Sequence, residues 1–465
     1  MNRNDSLSRN TFLLTLGTFL NKGLQFFVIP FFSKWLTAAE YGEFDLLCTY
    51  VSLLIPIITL ASQEAMFRFS VNEGDIYQKK AYITNTFVLQ ISNFFLVVVL
   101  LQFFRNKVGT TIYIIFCFYL FAELISVFLR GYLRAIKKLN IYSISMSIST
   151  VFMIVFVVIF VKCLHMKLEG ILLGYAIGTF IGDVCIFFGA KTYRMLAFEK
   201  IGFSMLKELV TYSAPLIPND IAWWIMNASD RHLINLFWGS TANGIYAITH
   251  KIPAICSILF NMFSISWQQE VVERINDEDK EEYFNEILNI LLELLLSVGA
   301  GLLSGSFIVY YYIFDFKYFE AILYSPILIF SAILLSISQF FGGIQIALKQ
   351  PKQNGITTII GAIVNIGVHV CVYKFIGLYA AALSTLVANG VILFLRIIFV
   401  QKEFKVHIKK KNLFVFIGFG YFLFMSYIHY NMLLNGINLF AACIFFVLVN
   451  YSRTKKIIGK IYSYK

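Results

Sequence analysis

Charge is scarce in this chain. Asp, Glu, Lys and Arg make up 14% of its 465 residues, against about 25% in soluble domains. That excludes a soluble globular protein and a soluble enzyme held by a single anchor. Long polar stretches are missing too. The longest connection between apolar runs is the acidic EVVERINDEDKEEY of Glu270–Tyr283, read as a solvated cytoplasmic linker near mid-chain. The seven cysteines (Cys48, Cys117, Cys163, Cys185, Cys256, Cys371, Cys443) have no metal-ligand spacing and read as small hydrophobes. No Gly-rich loop with Lys-Ser or Lys-Thr is present to cradle the phosphates of ATP. A cleavable signal is not evident either: the first apolar run begins near Phe12, is too long for a signal core and lacks a small-residue cleavage site. The net charge of +12 would point to nucleic acid in a soluble protein. In a membrane protein basic loops set orientation instead, so no nucleic-acid partner is expected.

What is present is apolar length. Hydrophobic residues reach 59%, and a bilayer crossing needs about 20 of them in a row. Fourteen such stretches fit, at 12–32, 43–62, 82–104, 110–131, 141–164, 168–190, 212–238, 244–266, 284–311, 321–346, 352–375, 377–400, 412–430 and 433–451. The predicted fold is therefore an all-α polytopic membrane protein with about 14 transmembrane helices. Lys and Arg test the segmentation. Loops and tails on the side of the N-terminus hold 28, with Arg130, Arg134 and Arg396 counted among them, and those on the opposite side hold 7. A single missed helix would reverse this bias downstream, and it does not reverse. Both termini are expected in the cytoplasm.

The two halves echo each other in order. AAEYGEF (Ala38–Phe44) follows the first span and STANGIY (Ser240–Tyr246) the seventh; YLRAIKKLN (Tyr132–Asn140) pairs with QIALKQPKQN (Gln345–Asn354). Six spans separate each pair, so the copies share one orientation and the repeat axis lies along the membrane normal. The expected organisation is a six-helix lobe at 1–206, a second at 207–402, and two extra helices with a basic tail at 403–465. Two lobes facing one another would enclose a cavity, and rocking between them would give alternating access.

The stretch YSAPLIPNDIAWWIMNASDRHLINLFWGSTANGIYAITHKIP (Tyr212–Pro253) resembles the Wzx-type polysaccharide repeat-unit flippases. FLNKGLQFFVIPFFSKWLTAAEYGEF (Phe19–Phe44) and SISWQQE (Ser264–Glu270) match the same family. The resemblance implies the two-lobed fold shared with multidrug exporters and lipid II flippases. It implies export of a polyprenyl-diphosphate-linked oligosaccharide across a bacterial plasma membrane, for O-antigen, capsule or exopolysaccharide assembly, with polysaccharide polymerase and chain-length machinery as partners. Many members look like twelve-helix proteins; the extra pair seen here also occurs in lipid II flippases.

Ionisable groups at bilayer depth cost about 3 kcal/mol each on insertion scales, so each is a functional candidate. The seventh span has the densest set. Asp220, Trp224, Asn227 and Arg231 are spaced 4, 3 and 4 apart, which stacks them on one face. Trp223, Asn227 and Asp230 form the adjoining stripe. Lys22 sits near the middle of the first span and Lys251 lies on the eighth. For a diphosphate-linked sugar, Lys22, Arg231 and Lys251 would neutralise the phosphates while Trp223, Trp224 and Asn227 meet the sugar. Asp230 and Arg231 have a second reading, as partners of other helices that lock the fold. With no ATP site, an H⁺ or Na⁺ gradient is the expected energy source and no cofactor is expected. The carboxylates available to take up the ion are Asp220, Asp230, Glu123, Asp183 and Glu64. Hinges are expected at Pro30 and at Pro215 with Pro218, which remove helical hydrogen bonds.

Two other functions compete. A drug antiporter of the same fold should have an acid-dominated cavity, whereas embedded bases favour an anionic cargo. An intramembrane glycosyltransferase needs a sizeable outward loop with acidic residues, and the outward loops here are short.

Overall fold

The computed structural model describes residue 23 and residues 28–71, 73–136, 138–428 and 431–463. Among the described residues every regular element is helical. Among the described residues eleven helices are long and apolar enough to cross a membrane, and a bent pair, Phe203–Thr249 with Ala254–Ser264, makes a further candidate. The eleven coincide with the second to sixth and ninth to fourteenth expected spans. Most of the first expected span, with Lys22, lies outside the described residues; residues 28–35, which include Pro30, are helical.

The chain groups into two units. The first holds residues up to Trp224 together with Gly239–Asn243; the second holds Ile225–Trp238 and Gly244 onward. In the first unit, α1 (Ala38–Thr59) opens on a reciprocal cap: the Glu40 amide donates to Thr37 Oγ1 (3.2 Å) and the Thr37 amide to Glu40 Oε2 (2.8 Å). This explains the Thr-Ala-Ala-Glu before the span. There follow α2 (Ser62–Ser70), α3 (Ile76–Leu101), α4 (Thr110–Ala135), α5 (Leu139–Val157), α6 (Lys167–Gly189) and α7 (Phe203–Ser213). Four glycines recur at i, i+4 spacing on α6: Gly174, Gly178 and Gly182 lie against α5, and Gly170 against Phe160 just past its end. A Cβ on Gly178 would lie 2.5 Å from the Met153 backbone, and one on Gly182 would lie 2.7 Å from Ser149 Cβ. Only hydrogen at these positions lets two apolar helices approach backbone to backbone, where dispersion replaces the hydrophobic effect that lipid cannot supply.

A short 3-10 turn, Ala214–Leu216, separates α7 from α8 (Ile217–Thr249), so Pro215 and Pro218 stand at a break in the helical path. Within α8 the helix is interrupted at Gly239, whose φ of 81° is open to glycine without strain. The eighth span, expected as one rod over 244–266, is instead broken. Helix ends at Thr249, resumes at α9 (Ala254–Arg274), and turns by 48° across His250–Pro253. Pro253 supplies no N–H to continue the ladder, which accounts for the break.

The second unit continues with α10 (Lys280–Ile308), α11 (Ala321–Ala347), α12 (Pro351–Ile376), α13 (Tyr379–Val400), α14 (Lys410–Ile428) and α15 (Met432–Ser463). Its core is stapled by polar groups. Arg396 on α13, counted above as a loop base, is 2% exposed and donates to Thr357 Oγ1, Thr358 Oγ1 and the Ser338 carbonyl. Trp267 stacks on Phe340 (4.2 Å) and donates to its carbonyl (3.1 Å).

Both units use one device to bind an irregular segment to a helix. On α3, Asn85 donates to the Lys200 carbonyl (2.9 Å) and accepts from the Gly202 amide (3.0 Å). On α10, Asn285 does the same to Lys405 and His407, and Asn289 to His407 and Lys409. A carboxamide presents one donor and one acceptor side by side, so it satisfies backbone that would otherwise be orphaned in a low-dielectric setting. Lys411 then reaches the buried Glu293 carboxylate (3.0 Å) and the Val449 carbonyl (2.8 Å), tying α14 and α15 to α10.

Candidate functional site

Two buried carboxylates, one in each unit, anchor the sets of polar groups considered first. In the first unit α4, α5 and α6 surround a cavity of about 260 Å³. α4 contributes Glu123, Ser126 and Arg130, α5 contributes Ser145, Ser149 and Thr150, and α6 contributes Thr179 and Asp183. Residues 123, 126 and 130 share a helix face by their spacing, and Asp183 follows directly on the last glycine of the α5 contact. Asp183 is 2% exposed. Its Oδ1 accepts from Ser126 Oγ at 2.7 Å, while Oδ2 is buried with no hydrogen-bond partner. Glu123 accepts a long hydrogen bond from Thr179 (3.5 Å) and faces Arg130 at 3.8 Å.

The second unit gathers a tighter set. Asp230 on α8 is 2% exposed and His369 on α12 is fully buried. His369 Nδ1 lies 3.1 Å from Asp230 Oδ1, and Thr385 Oγ1 on α13 donates to Oδ2 at 2.7 Å. The Tyr246 hydroxyl donates to the same Oδ2 at 3.5 Å. Asn365 extends the network, accepting from Ser229 (3.3 Å) and donating to Thr385 (3.4 Å). Both carboxylate oxygens are thus met by protein groups from α8, α12 and α13.

The remaining candidates are dispersed. Glu64 on α2 receives both terminal nitrogens of Arg134, at 2.8 and 3.1 Å, a fork-to-fork pair. Asp220 stands half-buried in the first turn of α8, where a carboxylate meets the positive end of the helix. Trp223 is half-buried. Trp224 donates its indole N–H to the Thr49 carbonyl of α1 at 3.0 Å. Asn227 is exposed, and its carbonyl accepts from Arg231 Nη1 at 2.7 Å, so Arg231 folds back along its own helix. Lys251 lies at the break between α8 and α9.

The structure therefore brings Glu123 and Asp183 to one cavity and sets Asp230 in a separate network. Sequence reasoning missed Asp230's partners His369 and Thr385, and the cavity's Ser126 and Arg130. Two signals were available. His369 is an ionisable side chain inside an apolar span, and the glycines of α6 recur every fourth residue.

Comparison with known proteins bears on these sets. The family described as "Polysaccharide biosynthesis protein" matches residues 7–267. The probable low-salt glycan biosynthesis flippase Agl15 of Haloferax volcanii is 22% identical over 400 residues, spanning 83% of this chain and 81% of its own length. Among solved structures, the lipid II flippase MurJ in an inward closed conformation superposes with a TM-score of 0.76 at 14% identity, covering 96% of this chain and all of that one. An inward-facing multidrug resistance MATE family transporter of the MOP superfamily superposes at 0.64 and 14% identity, covering 84% of this chain and 94% of that one.

Proposed function

The chain belongs to the polysaccharide biosynthesis protein family, and from that premise we propose that it is a flippase for a polyprenyl-diphosphate-linked oligosaccharide. The cargo passes from the inner to the outer leaflet of a bacterial plasma membrane and serves O-antigen, capsule or exopolysaccharide assembly. The observation that carries this reading is the combination of family with fold: a membrane transporter whose fold covers a lipid II flippase end to end. The similarity to the probable low-salt glycan biosynthesis flippase of Haloferax volcanii supports a glycan as cargo.

Arg231 and Lys251 hold the diphosphate in this proposal. A diphosphate carries about two negative charges, and a guanidinium meets phosphate oxygens in a bidentate fork. Trp223 and Asn227 supply contacts for the sugar. Transport is driven by an ion gradient, and the Asp230–His369 pair is the proton-coupled element of the second unit. A carboxylate in contact with an imidazole gives a proton two neighbouring sites to move between. Protein groups already meet both oxygens of Asp230, which favours a proton over a metal ion there.

The test is reconstitution of the full chain in proteoliposomes with a labelled polyprenyl-diphosphate oligosaccharide, scoring which leaflet displays the sugar. Translocation driven by a pH gradient is expected. Arg231→Glu and Lys251→Glu are each expected to abolish it at normal protein levels, and full activity in both would refute the diphosphate assignment. Proton-driven exchange of a cationic drug with no movement of the glycan lipid would establish the multidrug antiporter instead.

A further inference from the structure

The end of the first unit that the Lys and Arg count places outward holds a second cavity, an apolar one. It is a groove of about 340 Å³ between α1, the end of α3 and the start of α4. Nine residues line it, and almost all the surface they show is carbon. On α1 the lining runs from Leu47 to Leu54, two turns or about 11 Å of helix. Phe116 of α4 is buried at the floor, while Phe104 and Val108 stand 55% and 40% exposed at the rim. The Tyr113 hydroxyl is spent on the Val98 carbonyl (3.0 Å), which ties α4 to α3 and leaves a ring for the groove.

An apolar hollow of this kind stays dry. At bilayer depth the material that can fill it is the hydrocarbon tail of a lipid. Since an apolar cavity of about 150 Å³ takes up one benzene, a volume of about 340 Å³ accommodates about two isoprene units. Leucine methyls and ring faces at several heights leave recesses for methyl branches, and dispersion rewards a chain that fills them.

Arg105 supplies the second, independent observation. It sits between the rim residues Phe104 and Val108, its Nε donates to Thr110 Oγ1 (3.3 Å), and its charge acts on the Tyr113 hydroxyl. Among the described residues it forms no ion pair. No Asp or Glu occurs between Asp75 and Glu123. The acids at the near end of α1 are engaged elsewhere: Glu40 with Lys167 (3.4 Å), Glu43 with Ser240 (3.3 Å), and Asp45 beside Tyr175 of α6. A guanidinium without a carboxylate, at the mouth of a hydrocarbon groove, suits a lipid with a phosphate head.

We propose that the groove between α1, α3 and α4 holds the first isoprene units of a polyprenyl-diphosphate lipid on the outward side, with Arg105 meeting its phosphate. A lipid in the outer leaflet brings its phosphate to the level of the rim and its chain below it, which is the order in which the groove presents Arg105 and then Leu54 and Phe116. Arg231 and Lys251 belong to the second unit, so this is a separate site, and it receives the lipid after passage. The choice of a polyprenyl chain over a phospholipid tail rests on the function proposed above.

The experiment maps contact directly. The full chain, in nanodiscs of phosphatidylethanolamine and phosphatidylglycerol, is photolysed with a short polyprenyl diphosphate carrying a diazirine near its diphosphate end. Peptide mass spectrometry then locates the adduct. Adducts are expected within residues 47–54 and 101–116, and excess unlabelled polyprenyl diphosphate is expected to remove them. Arg105→Glu is expected to raise the concentration for half-labelling about tenfold, as loss of a charge-assisted contact does, while Arg105→Lys stays close to native. Leu101→Trp, which fills the groove, is expected to abolish the adducts on α1. A native protein with no adduct at these residues, or undiminished adducts in both Arg105→Glu and Leu101→Trp, overturns the proposal. So do adducts that added phosphatidylglycerol removes as well as polyprenyl diphosphate does, which would make the groove a general lipid-tail site. Should Leu101→Trp not fold, undiminished adducts in Arg105→Glu, an exposed position, overturn the proposal alone. Adducts in place without glycan flipping would strike at the function above and leave this site standing; flipping without adducts would strike at this site alone.

Discussion

The two units each bury one aspartate to the same 2% exposure, and they treat it in opposite ways. Asp230 has both oxygens met by His369, Thr385 and Tyr246 from three helical segments. Asp183 has one hydroxyl on one oxygen, nothing on the other, and open space beside it. Burial alone therefore does not assign a carboxylate its chemistry. The groups and space around it decide what it can accept. A carboxylate whose two oxygens are both met by protein groups is held by its neighbours, while one with a single hydroxyl partner at the wall of a polar cavity is not.

Helix packing explains why the cavity exists. The glycine stripe pulls α6 hard against α5, and Asp183 follows the last of these glycines. The largest expected effect is accordingly on that stripe. Gly178→Val would drive side-chain carbons into the Met153 backbone, already 2.5 Å from a Cβ. The cost should exceed the ~1–3 kcal/mol of ordinary overpacking, since backbone cannot swing aside as a side chain does. The expected result is loss of monodisperse folded protein by size exclusion and thermal melting. Gly189→Ala on the same helix, with nothing within 4 Å of its Cβ, should behave as native. If both fold normally, the cavity does not depend on the glycine contact.

A smaller effect probes the other aspartate. His369→Gln removes the imidazole from Asp230 while Thr385 stays. A hydrogen bond to a charged group contributes about 1.5–3 kcal/mol, so a modest fall in melting temperature is expected. The distinguishing readout is the pH profile of flipping. It should flatten, because Asp230 then has no imidazole to exchange a proton with; the groups left around it are Tyr246, Thr385 and the adjacent Arg231. An unchanged profile would reduce the pair to a structural lock and erase the contrast between the units.

The smallest effect belongs to the linker outside the membrane. Glu270 is bonded by Arg274 (2.8 Å) and by Tyr283 (2.9 Å), which hold its carboxyl below the usual 4.5. A depressed folded pKa means this contribution is present above pH 4.5 and fades as the pH falls through the lower folded value. The pair is well exposed, so it is worth little. Hydrogen-exchange protection over residues 274–283, measured against the intrinsic rate at each pH, should fall below that pH in the native protein. In Glu270→Gln that protection should be low already and show no such step.

Much of the fold was legible along the chain. Apolar length is a one-dimensional property, and eleven of the expected spans coincide with membrane-length helices. The break at Pro215 is local as well, because a proline acts within its own turn; the capping box at Thr37 and Glu40 and the break at Gly239 are equally local but were not read from the sequence. The path through His250–Pro253 was not foreseen as a bend, although its proline was visible. A proline permits a break, and packing decides whether the helix takes it.

The sites were legible as residue types and not as assemblies. Ionisable residues in apolar spans marked Asp183, Asp230, Glu123 and Arg231 from the cost of placing them in lipid, which depends on the residue and its depth alone. Tertiary structure decided the rest. It gave Glu64 to Arg134 and Trp224 to the Thr49 carbonyl, it turned Arg396 from a loop base into a buried staple, and it chose His369 for Asp230 and Ser126 at a polar cavity for Asp183. Those outcomes join residues as far as 175 positions apart. Hydropathy and periodicity decay within a few turns, whereas the partner of a buried charge is fixed by which helices pack together.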